Sequence, residues 1–460
     1  MRSSRREIIN IIESKRPADY DLAIKGSPDV SLSYALSSVR NGLLSWLPVK
    51  ETSKVLLLDW YFGAGLESLR DKAGSVQLVE KDAEVLERLK KRFNGSKVER
   101  TETAPEEKFD VIITGSADID VEVIKQAMAP HTVVYVCFKN AYSYRGELLD
   151  RENIPRFSKT AVKETLKRIG LESTLCYYPF PGELFPQAVY SDMAPPDSTV
   201  EDRVFLIDPS GEGQMQMKEN LGRRIKDGTI ADKAEYIIMA AAECRDDLPK
   251  VKKAILSIDR ERDNCFQVIF TDDKVIKQPV YSEGITKLIR MHNNLCELSS
   301  RGIPVINEEL TDGKIIMDYF GADNLLSFLS LNPDRTEEML DIIYSDVLRS
   351  SRLLQFEKEK LLQKGYIDMT PFNCWYGGTR LVYFDQEFTQ YHCPVSYIMF
   401  RAVKYLYIHI SGLEQHVKQE YLYDKYDVTR DLERYESMEY RFVGSVRKTD
   451  LFSQFWNWRI

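Results

Sequence analysis

Residues 365–388 read G-Y-I-D-M-T-P-F-N-C-W-Y-G-G-T-R-L-V-Y-F-D-Q-E-F. Asp368 and Asn373 stand five residues apart on a loop, and Asp385 closes a short apolar run, Leu381 to Phe384, of strand character. In-line phosphoryl transfer needs a carboxylate facing the acceptor hydroxyl and two oxygen ligands that hold Mg²⁺ against the phosphates. The spacing D-x4-N, then a strand ending in Asp, supplies those three groups in order. Asp368 is the candidate base, and Asn373 and Asp385 are the candidate metal ligands. The plain alternative is a surface turn, T-P-F-N and then G-G, carrying the polar residues that turns favour. The ordered spacing of all three residues favours the first reading.

Upstream, A-I-L-S-I from Ala254, C-F-Q-V-I-F, a D-D turn and K-V-I-K read as an antiparallel sheet. Lys277 closes its third strand and is the candidate phosphate-binding lysine, with Lys274 the competitor. No glycine-rich loop lies between the first strands; S-I-D-R-E-R-D-N stands there, so Arg260 or Arg262 would supply charge. A helix from about Glu283 to Ser299 should offer an acid to Lys277, either Glu283 or Glu297. K-I-I-M-D-Y-F-G-A-D-N-L-L-S-F-L (314–329) reads as strand, hinge and helix start, in which Met317 to Tyr319 contact an adenine through backbone groups. Asp323 faces the ribose or caps the next helix. A further helix is expected from Glu337 to about Leu362, and Glu387 of D-Q-E adds a metal ligand or pairs with a base. These features make residues 246–460 an α+β bilobal kinase-like domain.

The first half alternates differently. K-V-L-L-L-D, V-Q-L-V-E, F-D-V-I-I-T-G and T-V-V-Y-V-C-F are apolar strands separated by helices, among them Ala83 to Phe93. Such alternation implies an α/β, doubly wound, Rossmann-like parallel sheet with its ligand beyond the carboxyl ends of the strands. Asp59 ends the first strand, and Gly63 and Gly65 fall where backbone must approach a ligand closely. Glu80 ends the second strand, placed to accept hydrogen bonds from ribose hydroxyls. The domain division read from these patterns is 1–210, a helical bridge over 211–245, and 246–460.

Composition fits such a multidomain globular chain: 460 residues, 43% hydrophobic, 29% charged, net charge −8. The acidic balance argues against nucleic acid as a partner. No apolar run is long enough to span a membrane, and M-R-S-S-R-R-E lacks the apolar stretch of a secretory signal. Seven scattered cysteines without C-x-x-C read as reduced thiols in a cytoplasmic protein. The five histidines show no H-E-x-x-H spacing, against a zinc hydrolase.

The loop after the first strand is similar to that of class I S-adenosylmethionine methyltransferases, acid-x-Gly-x-Gly-x-Gly. Asp59, Tyr61, Gly63 and Gly65 stand at the matching places, so the first glycine is a tyrosine here. L-C-Y-Y-P-F-P-G-E-L-F-P-Q-A-V-Y-S-D-M-A-P-P (175–196), F-K-N-A-Y-S-Y (138–144) and V-Y-F-D-Q-E-F (382–388) resemble bacterial bifunctional methyltransferase/kinase proteins of polysaccharide modification, the WbdD-like O-antigen chain terminators. That resemblance implies ATP, Mg²⁺ and S-adenosylmethionine as cofactors, a sugar or polysaccharide hydroxyl as acceptor, and polysaccharide-synthesis proteins as partners. It makes Asn140, Tyr142 and Tyr144 candidate acceptor-side residues, although loop packing explains them as well. Tyr366 stands where many kinases have histidine. No heptad-bearing C-terminal extension follows, so a membrane- or length-measuring role is not expected. Two other readings remain open: a degenerate scaffold that binds nucleotide or glycan without turnover, and a small-molecule kinase of the aminoglycoside or choline type.

Overall fold

The computed structural model describes residues 2–27, 29–95, 97–103, 105–143, 156–180, 182–196, 223–319, 324–356 and 359–448. Two compact units emerge: one built from 1–261, 265–272 and 448–460, the other from 262–264 and 273–447.

The first unit holds ten strands: β1 (Lys54–Leu58), β2 (Ser75–Val79), β3 (Val98–Thr101), β4 (Phe109–Thr114), β5 (Met128–Lys139), β6 (Ser173–Phe180), β7 (Ala188–Ser191), β8 (Tyr236–Ala242), β9 (Lys253–Leu256) and β10 (Phe266–Phe270). Their order across the sheet is β10-β9-β7-β6-β8-β5-β4-β1-β2-β3. From β3 to β5 every pairing is parallel, and β8 then runs antiparallel between β5 and β6. A run 3-2-1-4-5 is the doubly wound arrangement, which reverses direction at β1 and opens a crevice at the carboxyl ends there. The antiparallel strand set between the fifth and sixth extends this Rossmann-like sheet. β1 is central because Val55 to Leu58 are all buried, and a strand covered on both faces must be continuously apolar. Helix Ala83–Arg92 covers the sheet with Val85, Leu86 and Leu89, and Asp82 caps it by accepting from the Glu84 and Val85 N–H groups.

One sequence expectation is corrected here. Within the helical bridge expected over 211–245, Y-I-I-M-A-A-A (Tyr236–Ala242) is instead β8, buried at every position. A seven-residue apolar run fits a buried strand as well as a helix, and the three alanines let it lie closely between two neighbours.

In the second unit β11 (Lys274–Pro279), β12 (Glu308–Thr311) and β13 (Lys314–Asp318) form an antiparallel sheet in the order β12-β13-β11, with helix Ile285–Ser300 between β11 and β12 in sequence. The remainder is mainly helical, including Thr336–Ser350, Val395–His409 and Leu432–Val446. The expected helix from Glu337 to Leu362 stops at Ser350. Beyond it β14 (Leu353–Phe356) and β15 (Glu359–Tyr366) form a hairpin, and β15 pairs on its other side with a strand at Thr389–Pro394. The two lysines, the glutamate and the glutamine of E-K-L-L-Q-K-G-Y suit either structure, so pairing decides. Leu340, Ile343 and Val347 of the first of these helices pack with Leu362, Ile398 and Leu406 into this unit's core.

Gly65 carries a prediction. It sits at φ +77°, and a Cβ there would lie 2.6 Å from the Arg40 carbonyl oxygen. Left-handed strain plus a clash with backbone should make Gly65→Ala cost about 2 kcal/mol or more. Thermal melting should show a fall of several degrees; an unchanged midpoint would mean that the loop yields easily.

Candidate functional site

The loop carrying Asp368 and the loop carrying Asp385 are stitched together. Ile367 N–H donates to the Phe388 carbonyl at 3.2 Å, and Phe384 N–H to the Asn373 carbonyl at 2.9 Å. Gln386 is wholly buried and donates Nε2 to the carbonyls of Asp368 (3.1 Å) and Phe384 (2.9 Å). From helix Ile285–Ser300, Asn294 donates Nδ2 to the Gln386 carbonyl at 2.8 Å. The middle residue of D-Q-E therefore holds the two loops in register. An apolar side chain could not do so, because the Phe384 carbonyl would lose the Gln386 donor and the link to the Asp368 loop would go with it.

Asp368 is 8% exposed. Its Oδ2 accepts the Phe388 N–H at 2.8 Å, and its Oδ1 lies 3.2 Å from Nη1 of Arg401. Burial pushes this carboxyl up to about 6; Arg401 opposes the rise, while Glu387 and Asp385 add to it. A carboxylate of that strength is ionised at neutral pH and is a better proton acceptor than an exposed aspartate. Asn373 donates Nδ2 to the Asp368 carbonyl at 3.2 Å, which leaves its Oδ1 as the acceptor atom.

Lys277 lies buried on β11, its Nζ paired with Oδ1 of Asp385 and 3.8 Å from Oε2 of Glu387. Asp385 holds a left-handed backbone, φ 53°, at the turn out of the strand Leu381–Tyr383. The two segments that the sequence singled out, 274–277 and 365–388, thus converge on one set of charges. Among the described residues no group of three or more His, Cys, Asp or Glu is placed to hold a metal. Asn373 and Asp385 offer one amide and one carboxylate oxygen. Such a sparse set suits Mg²⁺, which keeps waters and phosphate oxygens as its other ligands.

Other expectations are redirected. Neither Glu283 nor Glu297 reaches Lys277. Glu283 precedes the helix and binds Arg262 at 2.8 Å, which also engages the arginine expected to supply charge. Glu297 takes Lys364 and the Tyr366 hydroxyl, each at 2.6 Å. The buried face of this helix consists of Leu288, Met291, Asn294, Leu295 and Leu298, so it presents an amide where an acid was expected. Glu387 supplies the acid. Lys274, three residues from Lys277 and so on the opposite face, pairs with Asp318 at 2.6 Å. Met317 is paired within the sheet to Val275 and Glu308. The Tyr319 N–H donates to the Asp273 carbonyl at 2.8 Å, so that donor is engaged within the unit. Asp323 lies outside the described residues; the helix that follows is capped by Asn324, whose Oδ1 accepts the Ser327 N–H at 3.0 Å.

In the first unit, Asp59, Gly63, Gly65 and Glu80 all lie just beyond the carboxyl ends of β1 and β2. Tyr61, at the place of the missing glycine, starts a short 3₁₀ turn, and its ring is half-exposed and set edge-on to Phe62. The turn therefore forms around the extra side chain. Asp59 is exposed with φ 51°. Arg92 of the next helix donates to the Phe62 carbonyl at 2.7 Å and so holds the turn. Glu80 accepts the Asp82 N–H through Oε1 at 2.8 Å, which leaves Oε2 for a ribose hydroxyl, so the residues fit a nucleoside on this side. Asn140 is buried and donates Nδ2 to the carbonyls of Asp232 (2.8 Å) and Ala234 (2.9 Å), which favours its packing role. Tyr142 is exposed, and Tyr144 lies outside the described residues.

No family model matches the chain, and no curated protein matches it. Solved structures do show likeness. A chain of the Haloferax volcanii complex between the Trm112 methyltransferase activator and a methyltransferase is 13% identical, over 51% of this chain and 97% of that one, with a TM-score of 0.32. Haemonchus contortus phosphoethanolamine N-methyltransferase 2 is 14% identical, over 50% of this chain and 57% of its own, with a TM-score of 0.31. YjhP from E. coli is 12% identical, over 48% and 98%, with a TM-score of 0.28. Strand order, and not likeness at this level, is what makes the first unit Rossmann-like. No helix of the described residues is long and apolar enough to cross a membrane.

Two residues at the second unit's site escape sequence reading. Arg401 donates Nε to Glu439 at 2.9 Å and also reaches the Ile367 carbonyl, while Glu439 accepts from Tyr397 (2.8 Å) and Tyr405 (2.6 Å). The available signal is one arginine inside Y-I-M-F-R-A-V, a run buried throughout. A buried cation requires a buried acid, though only the fold reveals which one.

Proposed function

We propose that the second unit is an ATP- and Mg²⁺-dependent phosphotransferase acting on a sugar or polysaccharide hydroxyl. The observation that carries this reading is the Lys277–Asp385–Glu387 charge set held beside the buried, basic carboxylate of Asp368. Asp368 would accept a hydrogen bond from the acceptor hydroxyl, orient its oxygen and take its proton during transfer. Lys277 would exchange part of its pairing with Asp385 for the nucleotide's phosphates. Asn373, through Oδ1, and Asp385 would hold Mg²⁺, which supplies charge neutralisation on those phosphates when bound. Glu387 keeps Lys277 in place from behind, at 3.8 Å. The sugar acceptor is the part of the reading that rests on the resemblance of 382–388 and 175–196 to polysaccharide-modifying proteins. Incubating the full chain with γ-labelled ATP, Mg²⁺ and a panel of sugars and polysaccharides should transfer label to one of them. No transfer to any hydroxyl acceptor, with no ATP binding by calorimetry, would overturn the proposal.

A second activity is proposed for the first unit: S-adenosylmethionine-dependent methylation. It is supported by the strand order and by the free edge of Glu80 at the end of β2. Glu80→Gln keeps the shape but removes the charge offered to the ribose, so the cofactor's affinity should fall by roughly tenfold or more. Calorimetric titration reads this directly, and equal affinity in the two proteins would remove Glu80 from the site.

A further inference from the structure

Helix Ile285–Ser300 carries His292 and Cys296 four residues apart, hence on one face. The Cys296 Sγ lies 3.6 Å from Nε2 of His292, and Nδ1 of the same ring lies 3.1 Å from Oε1 of Glu308 on β12. The Glu308 side chain is 5% exposed, whereas Cys296 is exposed. A nucleophile in hydrogen-bond reach of a base, with that base oriented by a buried third group, is the arrangement that activates a side chain for attack. The three residues are not placed as metal ligands. Nor does the phosphotransferase reading use them.

We propose that Cys296 is a thiol-modification site, with His292 as its proton acceptor and Glu308 as the group that orients the ring, and that it takes small-molecule disulfides. The S–H proton of Cys296 passes to Nε2 of His292 as the sulfur attacks one sulfur of R–S–S–R. The new bond joins Cys296 to one half of the reagent, and the old S–S bond breaks. The other half leaves as thiolate and collects the proton from His292. Cys296 is oxidised, one half of the reagent is reduced, and no further reactant is consumed. Glu308 supports the imidazolium that exists between the two proton transfers.

The protein contains its own reference. Of the seven cysteines, five are buried and only Cys244 and Cys296 are exposed. Among the described residues Cys244 makes no hydrogen bond to a histidine. Glutathione disulfide is added to the full chain near pH 7, and both cysteines are followed by peptide mass spectrometry. Cys296 should acquire glutathione at least about tenfold faster than Cys244. His292→Gln should bring Cys296 down to the Cys244 rate while Cys244 stays unchanged, and Glu308→Gln should slow it less. Equal rates for the two cysteines in the unaltered protein would overturn the proposal without recourse to any variant. So would a folded His292→Gln protein in which Cys296 keeps its advantage.

Discussion

Asp368→Asn should lower phosphate transfer by about 10²- to 10⁴-fold, the usual contribution of a positioned general base. ATP–Mg²⁺ binding, measured by calorimetry, should change little, because in this reading Asp368 holds neither the phosphates nor the metal. Burial pushes the carboxyl up to about 6, so in the unaltered protein the transfer rate should fall about tenfold per pH unit below that value. The residual rate of the asparagine variant should show no such limb. The stability sign runs the other way from an exposed ion pair. A carboxyl raised in the folded state contributes stability that is complete below the unfolded value, near 4, and lost as pH rises through about 6. At neutral pH the ionised Asp368 therefore costs the fold up to about 3 kcal/mol, which the asparagine relieves. Some of that gain is lost again because Arg401 gives up one acid, though it keeps Glu439 at 2.9 Å. Loss of activity in a protein that melts near the original temperature is the expected result. Retained transfer with an unchanged pH profile would show that Asp368 is not the base.

This site was legible where the relevant information is local. Asp368, Asn373 and Asp385 are fixed by spacing along one short segment, and β1 and β4 announce themselves by the apolar runs V-L-L-L and V-I-I. What stayed hidden is non-local. Lys277 chooses its acid across more than a hundred residues, and the nearby helix seemed to offer two acids by position alone. Its faces decide otherwise: the inward position is Asn294, and both glutamates find other cations. Gln386 carried no expectation from the sequence, yet its side chain reaches the carbonyls of both loops. β8 was missed for a different reason. Its hydrophobicity is uniform, so no period distinguishes strand from helix, and only its partners β5 and β6 settle the matter.

Lys277→Met should have the second large effect, and its two components can be separated. Met preserves the apolar stem but removes the cation from a site where Glu387 is 9% exposed and Asp385 stands close by. Removing one partner of a buried pair leaves an uncompensated charge and costs about 3–5 kcal/mol. Part of Asp385 reaches solvent, its side chain being 36% exposed, so the lower end is expected. Urea unfolding should register that loss. Adding Glu387→Gln to the same chain removes the more buried of the two stranded charges, and the double variant should recover much of the stability. Nucleotide affinity should not recover, since neither variant restores a cation for the phosphates; a fall of at least about tenfold should persist in both proteins. Were the double variant to bind ATP–Mg²⁺ as well as the original chain, Lys277 would be a structural partner of the D-Q-E turn and the phosphate site would lie elsewhere. Recovery of stability without recovery of binding is the outcome that ties this lysine to the nucleotide, because a purely structural role predicts that the two return together.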